Sequence, residues 1–226
     1  MHPELAELER RFGLIVHYDG TYFLGWQLQA MGRTVQGEME FALERLTGER
    51  RRVTAAGRTD TGVHASGQLA AVTVPSRWSR NELHRAMNAT LPDDIWVESV
   101  RPVPLDFNPR YAARSRSYRY QVGLREDAYS PFHRPWCWPI GRRLDRDLLD
   151  RGARLLPGTH SFRAFAKAGQ EWRGYHCRVE EAEWVDWGSW GAAFHVTADR
   201  FLHHMVRYLV GTMVDVARGR RPLEDL

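Results

Sequence analysis

Residues 68–103 read QLAAVTVPSRWSRNELHRAMNATLPDDIWVESVRPV, and the pattern of apolar residues changes twice along them. Residues 68–74 have the length and β-branched content of a strand. Ser79-Arg80-Asn81-Glu82 is a capping box, in which the serine hydroxyl takes the amide of the glutamate and the glutamate reaches back. It opens a helix with Leu83, Ala86 and Met87 facing inward, which stops before Leu91-Pro92-Asp93-Asp94. Residues 95–103 then return to strand character, so the stretch is β-α-β.

On the N-terminal side, a strand over 12–18 ends at the Asp19-Gly20 turn. A helix over 34–46 follows, with Thr34 as N-cap and Val35, Met39, Leu43 and Leu46 on one face. A strand over 52–56 completes the order β-α-β-β-α-β, the split-βαβ arrangement of ferredoxin-like folds. The second half opens in the same way. Residues 115–124 alternate Tyr118, Tyr120 and Val122 against Arg119 and Gln121, as a half-buried strand does. Asp145 caps a helix through Leu148, Leu149, Leu155 and Leu156, closed by Pro157-Gly158. Residues 179–187 and 190–198 form a hairpin over Gly188-Ser189. A helix over 202–217 carries Leu202, Val206, Leu209, Val210, Met213 and Ala217 in one stripe. The expected fold class is α/β (α+β): two related halves, 1–105 and 106–226, in one extended antiparallel sheet with flanking helices. The second half reads β-α-β-β-α up to Leu226, so a last strand is expected beyond it.

The chain has 226 residues, enough for one large domain or two small ones, and 43% of them are apolar. No apolar run approaches the ~20 residues that span a membrane. Met1-His2-Pro3-Glu4 is charged, helical in character and unlike a signal peptide. Cys137 and Cys177 are the only cysteines and lack metal-ligand spacing; two thiols suit a reducing cytosol, and a cytoplasmic location is expected. The net charge is +4, and Lys167 is the only lysine among 32 Lys and Arg residues. Arginine suits phosphate forks and base stacking, and clusters stand at Arg50-Arg51-Arg52, at Arg110, Arg114, Arg116 and Arg119, and at Arg142-Arg143. Such a bias also arises from genome composition and solvated faces, so it suggests nucleic acid without establishing it.

Gly57-Arg58-Thr59-Asp60-Thr61-Gly62-Val63-His64-Ala65-Ser66-Gly67-Gln68 links two of the strands. It sets one carboxylate, Asp60, near an arginine and between glycines, where a substrate backbone can approach and the charge can be kept. An Asp in such a segment also serves as a turn residue.

The twelve-residue string resembles the signature of the tRNA pseudouridine synthases of the TruA family. So do Tyr18-Asp19-Gly20-Thr21-Tyr22-Phe23-Leu24-Gly25-Trp26-Gln27, Val35-Gln36-Gly37, Asn88-Ala89-Thr90-Leu91-Pro92, Arg119 between Tyr118 and Tyr120, and Phe201-Leu202-His203-His204-Met205-Val206-Arg207. The matches run in family order over nearly the whole chain. Relatives often carry Ala where Thr61 stands, a small-for-small change. The family also continues past the late helix to a strand containing Gly-Leu, which nothing here matches.

The resemblance implies the pseudouridine synthase fold and an isomerase that converts uridine to pseudouridine at positions 38, 39 and 40 of the tRNA anticodon stem-loop. It implies Asp60 as nucleophile, Arg207 as its ion-pair partner and Tyr118 as the ring stacked on the flipped uracil, its hydroxyl aiding removal of the C5 proton. By helical-wheel arithmetic Arg207 projects about 100° from the apolar stripe, where an arginine can also simply cap the core. Tyr120 is read as a core aromatic, and Trp26 and Gln27 as supports of the pocket. Arg58 is assigned to the RNA, as are Arg110, Arg114 and His203. Three routes remain open: attack on C1′, glycal formation, or addition to C6. The partners implied are tRNA and a second copy of the chain, with no membrane and no small-molecule cofactor. His64, His203 and His204 match no zinc spacing, so no metal is expected. Two rival readings stand beside this one. A non-catalytic RNA-binding module would not need Asp60, and a hydrolase would need Asp19 as a second carboxylate.

Overall fold

The computed structural model describes residues 8–169 and 174–226. The helical character expected at Met1-His2-Pro3-Glu4 lies outside the described residues. The chain divides into two compact units, Met1–Ala113 and Arg114–Leu226.

In the first unit β1 (Glu9–Tyr18) is central, flanked antiparallel by β3 (Ala65–Pro75) and β4 (Ile95–Val103). The short β2 (Thr54–Ala55) adds to β3, giving the order β2-β3-β1-β4. Phe12, Leu14, Val16 and Tyr18 alternate into the core, where they meet Val72 and Val74 of β3 and Val97 of β4. Helices α1 (Val35–Thr47) and α2 (Arg80–Thr90) add Val35, Met39, Leu43, Leu83 and Met87 to the same core. Thr34 caps α1 by accepting the amide of Gly37, and both arms of the Ser79–Glu82 capping box are formed.

β2 is shorter than the strand expected over 52–56, because the amide of Val53 turns inward to Glu40. That carboxylate is 4% exposed and accepts from Val53 N–H at 3.0 Å and Gln36 Nε2 at 2.7 Å, with Arg50 Nε 3.7 Å from its other oxygen. The unit extends to Ala113 because 106–113 pack back on it. Arg11 Nε donates to Phe107 O at 2.7 Å, while its Nη1 and Nη2 reach Thr73 and Thr54, and α3 (Pro109–Ala112) lies against β2 and β3.

In the second unit β5 (Arg116–Gly123) pairs antiparallel with β9 (Gly191–Ala198), which forms the expected hairpin with β8 (His176–Trp187). Two short strands complete the order β6-β5-β9-β8-β7: β6 (Trp138–Pro139), parallel to β5, and β7 (Gly158–Ser161), antiparallel to β8. Neither was expected; β7 is exposed throughout, so no alternation marks it. Helices α4 (Arg146–Arg154), capped by Asp145, and α5 (Met205–Ala217) cover the core around Phe194, Leu209 and Met213. α5 begins three residues later than the periodicity suggests. His204 stands in the left-handed region at φ 67 and breaks the helical path, although Leu202 is still buried at 4% exposure.

The mixed α/β class with flanking helices is as expected, but the strands form two hydrogen-bonded sheets, one in each unit, rather than a single extended sheet. One edge of β5 is taken along its length by β9, and its other edge is met at Val122 and Gly123 by β6. Among the described residues, no helix is long and apolar enough to cross a membrane.

Candidate active site

The loop between β2 and β3 owes its shape to the segment after β1. Trp26 N–H donates to Thr59 O at 3.0 Å and Gly62 N–H donates to Phe23 O at 3.2 Å, so backbone bonds hold the chain on both sides of Asp60. Tyr18 Oη and Thr59 Oγ1 are 2.8 Å apart, and Val63 N–H closes a turn on Asp60 O at 3.2 Å. The approach is so close that it excludes side chains. A Cβ on Gly25 (φ +97) would stand 2.5 Å from Thr59 O, and one on Gly20 would stand 2.1 Å from Val63 O. Phe23 and Trp26 are buried beneath, at 1% and 2% exposure, and Asp60 is half-buried. Of the two residues expected to support the pocket, Trp26 is buried and bonds the Asp60 loop, whereas Gln27 is exposed.

Asp19 and His64 form a second tie. Asp19 Oδ1 accepts from Thr21 N–H at 3.0 Å and from Thr21 Oγ1 at 2.6 Å, and lies 3.0 Å from His64 Nδ1. Gly20 N–H points at the same imidazole nitrogen from 3.1 Å. Burial works to raise the Asp19 carboxyl, but the Thr21 hydrogen bonds and His64 outweigh it and hold the group below the usual carboxylate range. A carboxyl so held is ionised near neutrality and is a poor proton donor, so the hydrolase reading loses its acid.

In the second unit β5 turns Tyr118, Tyr120 and Val122 toward the core side, while Arg119 is exposed on the other face. The Tyr118 ring meets Phe201 edge to face at 4.9 Å between centroids. Burial pushes the Tyr120 hydroxyl up, and the positive charge of Arg207 on α5 opposes it. Arg207, in the first turn of α5, acts on Tyr120 through its charge and is itself exposed. Tyr120 packs on the core as expected. The His203 and His204 rings are 4.1 Å apart, and His203 O receives the amide of Lys167 at 3.1 Å.

The remaining predicted residues are surface groups. Arg58 is exposed in the Asp60 loop, and Arg110 is exposed on α3, whose N-terminus Asn108 caps. Arg114 is exposed at the start of the second unit. The structure therefore puts Asp60, Arg58 and Arg110 in the first unit and Tyr118, Arg207, Arg114 and His203 in the second. Arg33 was missed: it forks onto Asp94, bonds Glu38 at 2.7 Å and lies 4.3 Å over the Phe23 ring. No local pattern marks the fork, because Asp94 lies 61 residues away in sequence.

The profile of the family described as tRNA pseudouridine synthase matches residues 14–112 and 153–226. Curated relatives agree. The tRNA pseudouridine synthase A of Roseiflexus castenholzii is 42% identical over 215 residues, covering 93% of this chain and 78% of that protein. The protein of the same name from Moorella thermoacetica is 41% identical over 205 residues, covering 90% and 82%. That of Halalkalibacterium halodurans is 38% identical over 219 residues, covering 96% and 82%. This chain belongs to the tRNA pseudouridine synthase family. It is an isomerase acting on tRNA.

Proposed function

We propose that this chain converts uridine to pseudouridine at positions 38, 39 and 40 of the tRNA anticodon stem-loop, with Asp60 as nucleophile. The observation that carries the reading is the backbone bonding on either side of Asp60, which presents one half-buried carboxylate on a loop that the rest of the unit holds in place. The reaction breaks the N1–C1′ bond, turns the base and joins C1′ to C5; the C5 proton leaves and N1 takes one up. No atom is gained or lost overall, so one positioned carboxylate and no cofactor suffice. In this reading Arg207 is the ion-pair partner that keeps Asp60 charged, and Tyr118 is the ring on which the flipped uracil stacks.

Bringing the uridine out of its stack costs a few kcal/mol, offset by RNA contacts from Arg58, Arg110, Arg114 and His203. Acceptance of three neighbouring uridines implies that RNA shape is read more than base sequence. Following the family resemblance, the enzyme acts as a cytoplasmic homodimer.

The deciding experiment uses tRNA tritiated at uracil C5 and compares wild type with Asp60→Asn. Tritium release by the wild type and none by the mutant is the expected result. Retained tRNA binding without release by the wild type would mark a binding module, and an abasic product a hydrolase.

A further inference from the structure

The segment that braces the Asp60 loop also carries apolar side chains that the fold does not bury. Tyr22 is 79% exposed and Met31 83%, with Leu24 at 42% and Leu28 at 39%. Single exposed apolar residues are ordinary, but four in one ten-residue stretch that is bonded to the Asp60 loop call for a partner. These four do not hang on a slack loop. Leu24 N–H donates to Arg33 O at 2.8 Å, Gln29 Nε2 to Leu24 O at 2.9 Å, and Leu28 N–H to Gln36 Oε1 at 3.0 Å. The stem is clamped by Arg33 on Asp94, Glu38 and the Phe23 ring. Leu24 lies across Gly32, where any Cβ would meet its Cδ1 at 2.2 Å. Residues 21–32 include no charged side chain, so the tip carries no carboxylate to repel a phosphate backbone.

We propose that this loop, through Tyr22, Leu24, Leu28 and Met31, packs on the unstacked bases that flank the target uridine. The inference rests on the proposed uridine chemistry at Asp60. When a uridine leaves its stack, its neighbours expose flat apolar faces, and a rigid apolar tip beside the receiving carboxylate can cover them. The continuity is covalent and hydrogen-bonded: Phe23 O and Trp26 N–H hold the Asp60 loop, Leu24 between them pairs its amide with Arg33 O, and Leu28 and Met31 follow Trp26 in the turn that this bond closes. A held tip adds little ordering cost on binding, which favours a base-packing role over a loop that must first fold.

The test compares two stem-loop RNAs that differ only at the target uridine, paired and stacked in one and opposite an abasic site in the other. Single-turnover pseudouridine formation is measured for wild type, Tyr22→Ser and Met31→Ser, with melting curves to confirm folding. Each substitution is expected to slow the paired substrate roughly tenfold, the size of one lost base contact, and to slow the unpaired substrate several-fold less. Equal losses on both RNAs, or no loss on either, would overturn the proposal. A change in sedimentation mass on Met31→Ser would overturn it too, by showing that the tip contacts a second protein chain. Wild type that forms no pseudouridine in either RNA would bring down the Asp60 chemistry itself, and this proposal with it. Leu28→Ser gives an independent reading on the same two substrates.

Discussion

The phenol of Tyr18 and the hydroxyl of Thr59 lie 2.8 Å apart, so the last residue of β1 holds the residue preceding Asp60. Tyr18 is 4% exposed, and its oxygen has little access to water as a substitute partner. Tyr18→Phe should cost about 1 kcal/mol of stability, the usual worth of one such hydrogen bond. Turnover should fall several-fold with KM for tRNA nearly unchanged, because the bond positions the loop rather than the RNA. An effect confined to KM would contradict that role.

Gly25→Ala tests the close approach of the two segments. The added Cβ would sit 2.5 Å from Thr59 O on a backbone at φ +97, so either Gly25 or the Asp60 loop must move. Strain of this kind costs about 1–3 kcal/mol, and turnover should fall at least roughly tenfold. Gly48→Ala is the control: Gly48 also has positive φ, at +80, but nothing lies within 4 Å of its Cβ position. It should lose stability in urea titration and keep turnover. Equal turnover losses in the two variants would mean that global strain, and not loop displacement, is responsible.

Glu40→Ala removes the acceptor of the Val53 amide and the partner of Gln36 inside the first core. A buried donor left without a partner costs about 1–3 kcal/mol, which denaturant unfolding would detect. Glu40→Gln keeps one carbonyl acceptor and should recover part of the loss.

Asp19 sets an expectation for acid stability. Its folded carboxyl lies below the ordinary aspartate value, so its contribution is fully present above that ordinary value and is lost as pH falls through the lower folded one. Tm followed from pH 6 downward should fall more steeply in wild type than in Asp19→Asn within that acid window. Superimposable acid limbs would show that the Thr21 and His64 contacts do not stabilise the charged carboxyl.

Arg207→Ala should lower turnover on tRNA far more than affinity, since the proposed role is to keep Asp60 charged rather than to hold RNA. Loss of affinity alone, in a filter-binding titration, would move Arg207 to the RNA surface.

Much of the fold was legible because its signals are local. The Ser79–Glu82 box, the Thr34 cap and the Gly188-Ser189 hairpin depend on residues within a few positions of one another, and all three form. What misled were places where a distant or conformational term won. Glu40 takes the Val53 amide and shortens β2; His204 adopts a positive φ and delays α5; β6 and β7 carry too few residues to show a period. Of the candidate site, the Asp60 loop is marked by its motif, whereas the Arg33–Asp94 fork and the Tyr18–Thr59 contact have no local signal.

The long strands and helices, the caps at Thr34, Ser79 and Asp145 and the carboxylate loop are legible in residue types and spacing, and the family in the resemblance of its motifs; β6 and β7 are not. Only the tertiary structure decided how that loop is held. The bonds from Trp26 to Thr59 and from Gly62 to Phe23 join backbone atoms more than thirty residues apart in sequence. Backbone groups are alike at every position, so such contacts leave almost no side-chain signature. Glycine at 20 and 25 is the trace that remains, and its reason shows only when the two segments lie against each other.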